Sequence, residues 1–153
     1  MDRNWIIQQA TAQHAETIAR FQVAMATESE GIALNYELVL RGVNEGLADP
    51  AKGIYLVACN SEAEIIGSLL ITREWSDWHC KWYWWIQSVY VCPEYRRQGV
   101  YRTMYEYVKA LAREAQVSCV RLYADRHNQP ALSTYCTLGM KESHYLLFEE
   151  DID

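Results

Sequence analysis

The spacing of apolar positions changes several times along the chain, and each change marks an element. Trp5 to Gln9 reads as a short first strand. Thr11 then reads as a helix N-cap, and His14, Ile18, Phe21 and Met25 recur at helical spacing toward Ser29-Glu30-Gly31, where the helix is expected to stop. Tyr36 to Leu47 is a second helix with Leu40, Val43 and Leu47 on one stripe, closed by Asp49-Pro50. Ile54 to Cys59 is an unbroken apolar run, the pattern of a buried strand. Asn60 to Glu64 supplies a turn and Ile65 to Thr72 the returning strand of a hairpin. Beyond a loop at Trp75 to His79, Trp82 to Cys92 is a long apolar strand ending at Pro93. Its density of aromatic and β-branched residues predicts a central place in the sheet. From Gly99 the period lengthens again, with Val100, Met104, Val108 and Leu111 on one helical stripe and Tyr107 beside it. Val117 to Tyr123 is a further strand. Asn128 caps a last helix, with Pro130 in its first turn and Gly139 just past its end, and Tyr145 to Glu149 is the final strand.

The order β-α-α-β-β-β-α-β-α-β predicts an α/β (α+β) fold built as one domain over residues 1–153. The late strand–helix–strand passage implies parallel neighbours and the early hairpin antiparallel ones, so the sheet is mixed. A chain of 153 residues suits a single domain and buries about two-thirds of its unfolded surface, so it needs neither disulfide nor metal to fold. Half the residues are hydrophobic and 22% are charged, a globular rather than a disordered composition.

Charge and cysteine usage narrow the function classes. A formal net charge of −6 argues against a nucleic-acid partner. It permits a cationic small substrate, which an acidic surface attracts, although a mild acidic excess is explained more simply by solubility alone. The five cysteines, Cys59, Cys80, Cys92, Cys119 and Cys136, are odd in number and include no CxxC pair, which points away from a disulfide framework or zinc site and toward a reducing compartment. The opening Met1-Asp2-Arg3-Asn4 has no basic-then-apolar leader. The most apolar run, Trp82 to Val91, is too short to cross a bilayer and contains Gln87 and Ser88. A cytoplasmic protein with no membrane partner is expected. His14, His127 and His144 show no metal-ligand spacing, and no Gly-x-Ser-x-Gly elbow suggests a hydrolase.

The informative stretch is Val89-Tyr90-Val91-Cys92-Pro93-Glu94-Tyr95-Arg96-Arg97-Gln98-Gly99-Val100-Tyr101. A buried strand runs into a basic, glycine-containing turn that opens an amphipathic helix. A helix N-terminus offers unpaired N–H groups and partial positive charge, Gly99 allows close backbone approach, and Arg96, Arg97 and Arg102 add cations. Spacing alone serves two readings equally: a pyrophosphate cradle, or a strand–turn–helix junction with solvated arginines. It is neither a Walker loop nor a GxGxxG dinucleotide fingerprint.

This turn resembles the acetyl-CoA signature [Q/R]xxGx[G/A] of the GNAT acetyltransferases. Arg96, Arg97, Gln98, Gly99 and Val100 fit it, and Tyr101 departs from the usual Gly or Ala. Further along, Asn128, Ala131, Tyr135, Gly139 and Met140 resemble that family's NxxAxxxYxxxG[F/M] segment. The two motifs stand in the right order and at the right separation. The resemblance implies a mostly antiparallel sheet with helices on both faces, whose central strand pair splays to admit the pantetheine arm of acetyl-CoA.

Further implications attach to single residues. Backbone groups of Val89 and Val91 would hold that arm, the N–H of Val89 would polarise the acetyl carbonyl, Asn128 would contact the arm, and Tyr135 would protonate the leaving thiolate. Val89 and Val91 serve equally as strand core, Asn128 as a helix cap and Tyr135 as a buried aromatic. There is local similarity to the spermidine/spermine acetyltransferases, some of which use a strand Glu as base. Gln87 stands in that place here, which leaves proton removal to ordered water helped by Glu74, Asp77 or His79. The family's acceptor region corresponds to Glu28, Glu30, Tyr36, Trp75, Asp77 and Trp78, where carboxylates beside aromatic faces suit a cationic amine or, equally, a solvated helix end and a packing surface. The expected activity is acetyl transfer to a small primary amine, from a homodimer and without a metal. A non-catalytic acyl-CoA-binding or sensing module is the alternative, and a Trp-rich docking protein a third.

Overall fold

The computed structural model describes residues 4–153. The chain divides into two compact units, one reaching Leu122 and one from Tyr123 to Asp153.

The first unit holds a five-stranded sheet in the order β1 (Ile6–Gln9), β2 (Ile54–Cys59), β3 (Ile65–Ser76), β4 (Lys81–Val91) and β5 (Cys119–Arg121). The first three pairings are antiparallel, and β4–β5 is parallel because the chain returns through the crossover helix α3 (Val100–Glu114). A 3-10 turn at Ala12–His14, in which the Thr11 N–H donates to His14 Nδ1 at 3.0 Å, leads into α1 (Ala15–Glu30). Asn35 caps α2 (Tyr36–Ala48), its Oδ1 accepting from the Leu38 N–H at 3.1 Å.

Helices cover both faces of the sheet. On one face Ala15, Ile18 and Ala19 of α1 and Val43 of α2 pack with Tyr55, Val57 and Cys59 of β2. On the other, Leu56 and Trp84 lie beside Tyr107 and Leu111 of α3. Burying apolar area at roughly 25 cal/mol per Å² is what orders these layers, and the fully enclosed Ile18, Leu56, Leu69, Ile71 and Met104 mark where the gain is largest.

The β3–β4 hairpin is longer than the sequence pattern suggests. The expected loop at Trp75 to His79 shrinks to a turn between Ser76 and Lys81, because Trp75 and Trp82 pair across the strands with rings 5.0 Å apart and edge-on. At the same end Arg121 of β5 lies 4.1 Å over the Tyr83 ring and reaches Glu74 at 3.4 Å. These contacts tie β5 to the hairpin half of β4.

The second unit carries α4 (Gln129–Thr137), capped by Asn128 Oδ1 on the Ala131 N–H at 3.3 Å, with Gly139 at φ 96 just past its end. The expected strand at Tyr145 to Glu149 does not form. No strand among the described residues pairs with it, and its apolar side chains stay exposed, Phe148 at 87%. A short continuous apolar run without a ladder partner leaves its backbone to solvent.

Candidate active site

The register of β4 against β3 holds a one-residue irregularity. Ile86 lies opposite Ile71 and Gln87 opposite Leu70, but Ser68 then faces Tyr90 rather than Val89. The extra residue is a β-bulge centred on Ser88, whose φ of 56 is left-handed. Because side chains alternate faces, one added residue exchanges the faces beyond it. Trp84 and Ile86 point to the α3 side. Past the bulge Tyr90 points to the α1 side, where it stacks on Phe21 at 4.8 Å, and Val91 approaches the space next to Met104.

The bulge coincides with the end of β5. The parallel ladder joins Tyr83, Trp84 and Trp85 to Cys119, Val120 and Arg121 and stops there, while β4 continues to Val91. Among the described residues no strand pairs with that edge of β4 beyond Trp85. Backbone groups around Val89 and Val91 therefore lie on an edge with no neighbouring strand among the described residues.

The chain then enters the basic turn. Pro93–Tyr95 is a 3-10 turn, Arg97 has φ 60, and Gly99 has φ 85 as the residue that opens α3. No side chain among the described residues caps α3, and its first intrahelical bond runs from the Thr103 N–H to the Gly99 carbonyl at 3.0 Å, so the opening amides project beyond the helix end. A Cβ built on Gly99 meets nothing within 4 Å, which leaves the approach to those amides open. The turn is held from several sides. Trp5 Nε1 donates to the Gln98 carbonyl at 3.1 Å, Gln98 Nε2 to the Glu94 carbonyl at 2.7 Å, and Asn60 Nδ2 to Tyr95 Oη at 3.1 Å.

Arg96 does not extend freely into this space. Its Nε donates to the Val91 carbonyl at 2.8 Å, its Nη2 meets Glu28 Oε2 at 2.7 Å, and the guanidinium lies 5.4 Å over the Tyr90 ring. Glu28, expected beside the acceptor, is thus the partner of a residue expected beside the cofactor, and Tyr90 Oη donates to its other oxygen at 3.4 Å. Burial first, then the neighbouring Glu28 carboxylate, pushes the Tyr90 phenol above its ordinary value. Arg97 and Arg102 are exposed, and Val100 is buried, so its side chain serves the core while its backbone belongs to the helix opening. Tyr101 stacks on Tyr105 with rings 6.2 Å apart.

Glu30 ends α1 and Tyr36 begins α2, so both flank the short connection between these helices, with Tyr36 packed on the core. The structure does not bring Trp75 and Asp77 to the same place. Trp75 pairs with Trp82, and the stretch of β4 from Trp82 to Val89 spans roughly 20 Å at about 3.3 Å per residue, with Asp77 and Trp78 beyond it. The residues named as helpers of proton removal sit on that far half too. Glu74 accepts from Trp85 Nε1 at 3.1 Å and pairs with Arg121, while His79 Nδ1 lies 3.0 Å from Ser76 Oγ and 2.9 Å from Tyr83 Oη. Gln87 ties the two central strands together, Nε2 to Thr72 Oγ1 at 2.7 Å.

In the second unit, Tyr135 lies on α4, and burial raises its phenol above the ordinary value. Asn128 spends its Oδ1 on the helix cap and keeps its Nδ2 as a donor.

Sequence reading missed Gln22 and Ser88. Gln22 is a buried amide on the apolar side of α1, and its Nε2 donates to the Ser88 carbonyl at 3.3 Å. A polar residue four positions after Ile18, on the same helical face, was its signal.

Among the described residues, then, a bulged strand whose outer edge has no neighbouring strand leads into a helix start with no side-chain cap. The chain belongs to the acetyltransferase (GNAT) family, whose model matches residues 12–140. A possible acetyltransferase from Clostridium difficile 630 is 34% identical, with a TM-score of 0.91 over 97% of this chain and 98% of that one. A structure described as a probable acetyltransferase, 23% identical, shares the fold with a TM-score of 0.87 over 97% and 98%. A predicted acetyltransferase with acetyl-CoA from Clostridium acetobutylicum, 18% identical, shares it with a TM-score of 0.77 over 96% of each chain. None of the curated proteins compared matches the chain. Family and fold together support acetyl transfer as the chemistry, and acetyl-CoA is the donor that GNAT acetyltransferases use. Among the described residues, no helix is long and apolar enough to cross a membrane.

Proposed function

We propose that this protein transfers an acetyl group from acetyl-CoA directly to the primary amine of a small acceptor. The observation that carries the reading is the bulged, one-sided edge of β4 running into the open start of α3. Acetyl-CoA supplies an activated thioester carbonyl on a long arm that ends in a pyrophosphate. The residues present fit that shape: the strand amides of Val89 and Val91 and the Val89 carbonyl for the arm, and amides at Gly99 and Val100 with the exposed Arg97 and Arg102 for the anion.

The backbone N–H of Val89 serves as donor to the acyl oxygen, where charge gathers during attack. Tyr135 supplies the proton for the thiolate, a role its raised phenol suits because the group stays protonated throughout the neutral range. Asn128 contributes its Nδ2 to the donor. The α1–α2 connection, with Glu30 and Tyr36, receives the amine, and an acidic chain of net charge −6 favours a cationic one. Glu28 acts through Arg96 rather than on the acceptor, since its carboxylate is already paired. Cytoplasmic residence and a homodimer complete the proposal, and light scattering on the purified protein tests the latter.

A second reading has its own support. Tyr101 replaces the small residue of the family signature and Gln87 the strand Glu of some relatives, which favours an acyl-CoA binder without turnover. Calorimetry with acetyl-CoA, followed by a free-thiol assay across polyamines, amino acids and aminoglycosides, separates the two. Binding heat with thiol release in an amine-dependent manner supports the enzyme. Binding without release for any amine supports the binder, and no heat at saturating acetyl-CoA removes both.

A further inference from the structure

The bulge in β4 has a support from outside the sheet. Gln22 on α1 is only 8% exposed, and its Nε2 donates to the Ser88 carbonyl at 3.3 Å across 66 residues of sequence. Ser88 adopts φ 56, a conformation that a β-carbon disfavours and that persists only where surrounding contacts impose it. The carbonyl that Gln22 holds and the N–H of Val89 belong to one peptide unit. That unit is planar and trans, so its C=O and N–H point in opposite directions and turn together. Fixing the oxygen toward α1 therefore fixes the Val89 N–H on the opposite side. A donor on the carbonyl also draws charge through the amide and strengthens its N–H as a donor.

We infer that Gln22 is a positioning residue: it locks the Ser88–Val89 peptide plane so that the Val89 N–H, and not the Ser88 oxygen, faces the acyl carbonyl. Without it, a rotated plane presents an oxygen to an oxygen at the point where negative charge develops. The inference rests on the reading of Val89 given under Proposed function, and it adds a side chain from another element, on the far side of the strand, that the reading did not contain.

Gln22→Met removes the donor at nearly constant volume. The test compares wild type and variant with acetyl-CoA carrying carbon-13 at the acetyl carbonyl. The expected result is a carbonyl infrared band that moves to lower frequency on binding the wild type and returns toward the free value in Gln22→Met. The Kd for acetyl-CoA should stay within about twofold, and with an accepted amine kcat should fall about tenfold while both KM values hardly change. A residue needed only for packing lowers the melting temperature and leaves the bound band where it was. The same band in wild type and folded variant overturns the inference. A wild type that binds acetyl-CoA with no band shift overturns the role of Val89 instead, and no binding at all overturns the functional reading. If Gln22→Met does not fold, Gln22→Leu carries the test, since it also lacks a donor for the Ser88 oxygen; a wild-type band in that variant also overturns the inference.

Discussion

Gly99→Ala separates the cost of a side chain to the fold from its cost to the ligand. Gly99 has φ 85, and a built Cβ touches nothing within 4 Å. The folded chain therefore meets no clash, only the left-handed strain of about 1–2 kcal/mol. Reduced freedom of the unfolded chain offsets roughly 0.4–1 kcal/mol of that. The net loss is about 1 kcal/mol, or roughly 2–4 °C in melting temperature for a chain of this length. Binding should suffer more. The methyl stands where an anion would approach the opening amides of α3, and losing one charge-assisted hydrogen bond costs about 1.5–3 kcal/mol, roughly ten- to a hundredfold in Kd. Arg97, at φ 60, is the control: Arg97→Gly relieves strain in the same turn, so stability should hold or rise slightly while affinity falls only by its lost charge. Differential scanning calorimetry and isothermal titration with acetyl-CoA read the two effects. A Gly99→Ala protein with wild-type affinity for acetyl-CoA would falsify the cradle.

Other consequences concern the strand pair, the acid and the titrating core. Gly67 pairs with Val91, and a Cβ there lies 2.9 Å from the Tyr90 carbonyl oxygen, so Gly67→Ala must push β3 from β4; a loss of about 1–3 kcal/mol in urea unfolding is expected, and unchanged stability contradicts the close approach. Met104 is fully enclosed, and Met104→Ala should cost about 2–5 kcal/mol in the same assay, a smaller change meaning that the core closes over the gap. Tyr135→Phe should lower kcat about a hundredfold and abolish an alkaline limb that lies above pH 10 in the wild type, because only the protonated phenol donates and burial raises it; an identical pH–rate profile rules Tyr135 out. Burial also raises Cys59, Cys92, Tyr55, Tyr90 and Tyr105. The folded state then holds these protons more tightly than the unfolded one. Their contribution is complete below about pH 8.5 and declines as pH passes the unfolded thiol and phenol values near 8.5 and 10. Denaturant midpoints that stay level from pH 8 to 11 argue against that burial.

Local chemistry let the sequence determine most of the elements. Gly31 and Asn128 act on amides and carbonyls within a few residues, so the end of α1 and the start of α4 were legible, as were the bounds of α2 to within a residue; Thr11, expected to cap α1, instead opens the 3-10 turn that precedes it. The strand, basic turn and helix around Gly99 were legible for the same reason, and with the Asn128–Met140 segment they carried the family. The tertiary structure alone decided what the site does with them. The apolar run from Trp82 to Val91 is interrupted at Gln87 and Ser88, but two polar residues do not specify a bulge; the register against β3 does, with the Gln22 amide on the Ser88 carbonyl. Arg96 reads as a phosphate ligand until Glu28, 68 residues away, is found holding it. Trp75 and Asp77 read as neighbours of the acceptor until cross-strand pairing extends the hairpin and carries them down β4. The apolar run at Tyr145 to Glu149 has the composition of a strand but no ladder to join. Periodicity and caps are fixed by neighbours in the chain, whereas register, pairing and the direction of a peptide plane are fixed by groups that only folding brings within reach.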